Sequence, residues 1–104
     1  MAQINNTKKP HQFDGSNYPY WKAKMTTYIK SINRKIWKVV EKKIKIEDEH
    51  APTAAEEILL PNNDIALSAI HDALDERTFE QIMNIERAHE AWKKLENHLK
   101  ALKP

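Results

Sequence analysis

Large apolar residues recur at Trp21, Met25, Tyr28, Ile29 and Ile32, at spacings of four, three, one and three. That is the stripe of one helical face, and it predicts a first helix from about Asn17 to Ile32. The start of this helix is marked. Gly15, the only glycine of the chain, can take the positive φ of a tight turn. Ser16 or Asn17 can accept hydrogen bonds from the first free N–H groups. Pro19 falls in the first turn, where its missing N–H costs nothing. Asn33 and Arg34 interrupt the stripe. A second, shorter helix fits Lys35–Glu41 with Ile36, Trp37, Val39 and Val40 inward, although its β-branched residues suit an extended segment as well.

The pattern is least regular over residues 42–62. Lys and Ile alternate over Lys42–Asp48 in a way that favours a short extended stretch. Thr53-x-x-Glu56 matches a capping box, predicting a helical turn over Ala54–Leu60 that Pro61 stops. A third helix is then expected from about Asp64, capped by Asn63 or Asp64, with Ala66, Ala69, Ile70, Ala73 and Leu74 inward. Asp75-Glu76 opens a short fourth helix carrying Phe79, Ile82 and Met83. A last helix runs from about Arg87 to Leu102, with Ala88, Ala91, Trp92, Leu95, Leu99 and Leu102 on its inner face. No strand pattern of useful length remains, and a single glycine argues against a fold built on tight turns. The expected class is therefore all-α: a compact bundle of about five helices at residues 13–104, preceded by a flexible N-terminal arm at residues 1–12.

Composition narrows the chemistry. The 104 residues suit one small domain. Absence of cysteine excludes a disulfide scaffold and every thiolate zinc site. No long apolar span and no signal peptide are visible, so neither membrane insertion nor secretion is expected. Charge is unevenly placed: residues 1–45 hold 11 Lys/Arg and 2 Asp/Glu, and residues 46–104 hold 6 and 13, giving +9 and −7. Such asymmetry can draw an acidic partner to the first half or orient contacts between copies of the chain.

Catalytic signals are absent. There is no Gly-rich phosphate loop and no nucleophile elbow, and Ser16, Ser31 and Ser68 have no local base. Glu86-x-x-His89 and Glu47-x-x-His50 match the spacing of di-iron bundles but lack the further glutamates such sites need, so surface histidines are the better reading. No enzyme activity, cofactor, metal or small-molecule substrate is expected. Lys22, Lys24, Lys30, Arg34, Lys35 and Lys38 form a candidate basic face for RNA or for another subunit. The last helix spaces Ala88, Trp92, Leu95, Leu99 and Leu102 in a heptad-like seam that suits association as well as ordinary core packing.

Read together, three motifs resemble the Gag polyprotein of copia-type LTR retrotransposons. The first is Phe13-x-Gly15-x-Asn17-Tyr18-x-x-Trp21-x-x-x-Met25, followed by Ile36-Trp37-x-Val39-Val40. The second is Asn63-Asp64-x-Ala66-Leu67-x-x-Ile70-x-x-Ala73-Leu74, and the third Ala88-x-x-Ala91-Trp92-x-x-Leu95. They occur in the family's order across about residues 12–100. The resemblance implies the N-terminal lobe of a retroviral-capsid-like protein, self-assembling into intracellular, cytoplasmic virus-like particles around the element's RNA. The second lobe and the zinc knuckle of such proteins are not in this chain, so RNA binding by a knuckle does not carry over. The signature residues Phe13, Gly15, Asn17, Tyr18, Trp21, Met25, Trp37, Ile70, Leu74, Trp92 and Leu95 are expected to hold the scaffold. Homo-oligomeric contact is the expected partnership, with RNA a partner of the full-length protein.

Overall fold

A computed structural model describes residues 12–13 and 15–100, and among them the chain is all-helical, with five helices and no strand. The order is α1 Tyr18–Ile32, α2 Arg34–Glu41, α3 Ala54–Asp72, α4 Glu76–Phe79 and α5 Ala88–Lys100. Apart from Gln12, the arm assigned to residues 1–12 lies outside the described residues, as does Leu102.

Asn17 caps α1. It stands in the left-handed region at φ 47, its side chain accepts from the Tyr20 N–H, and Pro19 sits in the first turn. Gly15, at φ 94, makes the preceding turn. Asn33 ends one helix and starts the next. Its N–H donates to the Ile29 carbonyl, and its side chain accepts from the Lys35 N–H at 2.8 Å. That reciprocal cap is why α2 is helical despite its β-branched residues: the first turn is satisfied locally, and Ile36, Val39 and Val40 enter the core.

Pro61 does not stop a helix. The Thr53 capping box is present, with the Glu56 carboxylate accepting from the Thr53 N–H at 2.8 Å, and it opens a single helix through Pro61 to Asp72. A proline inside a helix costs about 3 kcal/mol, through one missing hydrogen bond and a clash with the carbonyl four residues back. Here Pro61 is exposed, so water can reach the Glu57 carbonyl. Continuing the same helix buries Ala66, Ala69 and Ile70 against the rest of the bundle. Ile32, expected inside, is 41% exposed, and Met83, expected on the fourth helix with Ile82, lies past its end and is 51% exposed. Ile32 occupies the last turn of α1, beyond the reach of the core, and Met83 follows the end of α4 in a turn whose neighbour Ile82 takes the interior place.

The core draws buried apolar side chains from α1, α2, α3 and α5, and Phe79 of α4 packs half-buried against it. Its centre is a row of aromatic rings: Phe13 edge-on to Trp21 at 5.8 Å, Trp21 stacked on Trp92 at 5.7 Å, and Trp92 edge-on to Trp37 at 5.6 Å. Offset-stacked and edge-to-face pairs of this kind add about 0.5–1.5 kcal/mol each beyond their burial. The row joins the N-terminal segment, α1, α5 and α2.

Candidate functional site

Most of the signature residues belong to one core, and Phe13, Tyr18, Trp21, Trp37 and Trp92 meet at one corner of it. Phe13, Tyr18, Trp21, Met25, Ile70, Leu74, Trp92 and Leu95 are all buried, and Trp37 is half-buried against them. Gly15 and Asn17 are exposed and shape the turn. The hinge point of this corner is the Ala73 carbonyl, just past the end of α3. It accepts from the Phe13 N–H at 2.8 Å and from the Trp21 indole Nε1 at 3.2 Å. Gln12 Nε2 reaches the neighbouring Asp72 carbonyl at 3.4 Å. The last carbonyls of a helix have no donor of their own. In α3 the Ile70 and His71 carbonyls accept locally from the Ala73 and Leu74 N–H groups, and the Asp72 and Ala73 carbonyls find donors 52 to 60 residues earlier in the chain.

Two further helix ends are closed from a distance. Asn63, buried inside α3, accepts from the Ala88 N–H at 2.7 Å and donates to the Glu86 carbonyl at 2.8 Å. It therefore caps the start of α5, and the expected local cap for a helix beginning near Asp64 is corrected: residue 63 lies well inside α3. His89 Nδ1 lies 2.8 Å from the Val40 carbonyl near the end of α2. A carbonyl can only accept, so that ring nitrogen carries the proton. Local spacing marks Asn63 only as a cap for its own helix and His89, in Glu86-x-x-His89, only as a surface histidine; the second reading is corrected too, since His89 is half-buried and its partner lies 49 residues away.

The six basic residues do not share one face. Lys22 pairs with Glu96 at 2.6 Å. The Lys24 ammonium lies 5.8 Å from the Tyr20 ring and that of Lys30 5.6 Å from the Trp37 ring. Lys22 and Lys24 are about 200° apart around α1 at 100° per residue. Arg34, Lys35 and Lys38 do lie together on the exposed side of α2, and none has a carboxylate partner among the described residues. Arg87, by contrast, forks onto both oxygens of Glu49 at 2.9 Å.

Three titrating groups are perturbed. Burial, with a smaller push from Glu96, raises the Tyr18 hydroxyl to about 12. Burial lowers His71, partly offset by Asp72, and its Nε2 is buried without a partner against the edge of Phe79. Hydrogen bonds from Thr78 lower Asp75, the N-cap of α4. None of the three sits in a cleft with a second reactive group. A surface groove between residues 43–49 and 84–90 mixes Lys43, Lys45 and Arg87 with Glu47, Glu49 and Glu86. No group of three His, Cys, Asp or Glu placed to hold a metal occurs among the described residues, and no helix there is long and apolar enough to cross a membrane. Comparison with known proteins finds no matching family model, curated protein or solved structure.

Proposed function

We propose that the chain is a non-enzymatic assembly module, the N-terminal capsid domain of a copia-like Gag, whose copies associate into intracellular, cytoplasmic particles around RNA. The observation that carries this reading is the Ala73 corner. Phe13 and Trp21 of the first motif, Ala73 of the second and Trp92 of the third, far apart in sequence, are spent on one buried joint. A rigid small domain of this kind works through its outer surface, by weak contacts repeated between copies. Sedimentation of the purified chain across a wide concentration range tests the reading. Reversible, concentration-dependent oligomers are the expected result, and a monomer at every concentration would refute it.

A second reading draws on α2, where Arg34, Lys35 and Lys38 stand exposed without carboxylate partners: a nucleic-acid contact made by the isolated domain. Titration with RNA at two salt concentrations separates the two. Tight binding that weakens steeply with salt favours this second reading, because phosphate contacts release counterions.

A further inference from the structure

The outer side of α3 carries an apolar ridge, Ile58 and Ile65, that no part of the described chain covers. Ile58 is 68% exposed and Ile65 45%. They are seven residues apart, so they lie about 20° apart around the helix and about 10 Å apart along it. Beside Ile65 lies an open groove of about 340 Å³, lined by Tyr28, Ile32, Ile65 and Ala69, with Asp64 and Asp72 among its polar members. Ile32, on α1, is the third exposed isoleucine of this surface. A projecting side chain and a groove able to receive it thus stand one heptad apart on the same face of one helix.

That arrangement complements itself. A two-fold axis beside the Pro61–Asn62 peptide, perpendicular to α3, sets two copies of the helix antiparallel. Ile58 of each then meets Ile65 of the other and enters its groove, the reciprocity an isologous contact requires. We infer that α3 is a two-fold contact between copies of this chain, with Ile58 seated among Tyr28, Ile32 and Ile65 of its mate. The inference rests on the assembly reading and names the surface it uses.

The area says how strong the contact is. Ile58, Ile65 and Ile32 with their apolar neighbours offer on the order of 300 Å² per copy, the size of the largest patch a monomer ordinarily shows. A stable dimer needs about 800 Å² per partner. The contact is therefore weak when single and effective only when multiplied, as in a shell. Its electrostatics carry a signature. Glu57 and Asp64, also seven apart, lie on one flank of α3, and the two-fold turns that flank onto its own copy. Added salt screens this repulsion and strengthens association, the opposite of a contact between basic and acidic faces.

The chain contains no cysteine, which makes cross-linking clean. Under mild oxidation an equimolar mixture of Ile58→Cys and Ile65→Cys chains gives covalent dimers, and each chain alone gives few, since like positions stand about 10 Å apart along the paired helices. Ile58→Glu, at an exposed site, keeps its thermal midpoint and weakens association about tenfold or more. Cross-linking of each chain alone as readily as the mixture, or unchanged association of Ile58→Glu, overturns this contact and leaves the assembly reading standing. Absence of self-association by the unsubstituted chain, at every salt concentration, overturns both.

Discussion

The two halves of α3 reverse what their compositions suggest. The N-terminal half holds Ile58-Leu59-Leu60, the most apolar run of the helix, yet Ile58 is 68% exposed and Leu59 36%. The C-terminal half buries Ala66, Ala69 and Ile70, with Ala73 just past its end, and Ala66 and Ala73 are 0% exposed. Small side chains let α1, α2 and α5 approach the backbone of α3, and the approach itself supplies the burial. Ile58 and Leu59, though large, stay at the surface. Burial in this chain follows how closely elements approach, and apolarity without a neighbour becomes surface.

The sharpest way to break this contrast is at the aromatic corner. Trp21→Ala removes the ring between Phe13 and Trp92 and the indole bond to Ala73, and should cost about 3–5 kcal/mol in urea unfolding. Ile58→Ala on the same scale should stay within about 0.5 kcal/mol. Equal losses at the two positions would end the distinction. Asn63→Ala tests whether a polar residue belongs to the tied half. It leaves the Ala88 N–H and the Glu86 carbonyl without their partner and should cost about 2–3 kcal/mol. Asn62→Ala, one position away, should cost little.

Titration gives a gentler test. The folded chain holds His71 below its ordinary 6.5, so below that pH the unfolded chain binds more protons. Stability is therefore present above pH 6.5 and lost as the pH falls towards the folded value. His71→Gln should flatten that slope in thermal melts. At the other end, Tyr18 is held near 12 against an ordinary 10.0, so stability falls as pH rises from 10 towards 12. The slope should vanish in Tyr18→Phe. The smallest effect is expected at Lys22, whose pair with Glu96 is partly open to water. Lys22→Met should change stability by less than about 1 kcal/mol.

Much of the tied half was legible in the chain. Trp21, Met25 and Ile29 repeat at helical spacing, as do Ala88, Trp92, Leu95 and Leu99, and Gly15 with Asn17 marks a turn and a cap. Local signals of this kind act within one or two turns and can be read there. Pro61 could not be read locally: its cost is set by its own ring, while the gain that outweighs it comes from Ala66 and Ile70 further along. Asn63, expected as a local cap, and His89, expected at the surface, misled for one reason: a side chain that caps a distant helix has the same neighbours in sequence as one that faces water. The candidate basic face looked continuous from residue 22 to 38 because charge was counted along the chain. Helical geometry distributes Lys22, Lys24 and Lys30 around α1 and leaves only the α2 group together.

The joint at Ala73 also sets an order on synthesis. Its donors, Phe13 and Trp21, leave the ribosome well before their acceptor, and Trp92, the ring that covers Trp21, follows later still. At roughly 5–20 residues per second, α1 waits several seconds with Trp21, Met25 and Ile29 uncovered. Until then those side chains are apolar surface open to any neighbour. Rapid closure once α5 emerges then decides whether copies meet as finished domains or as tangled ones.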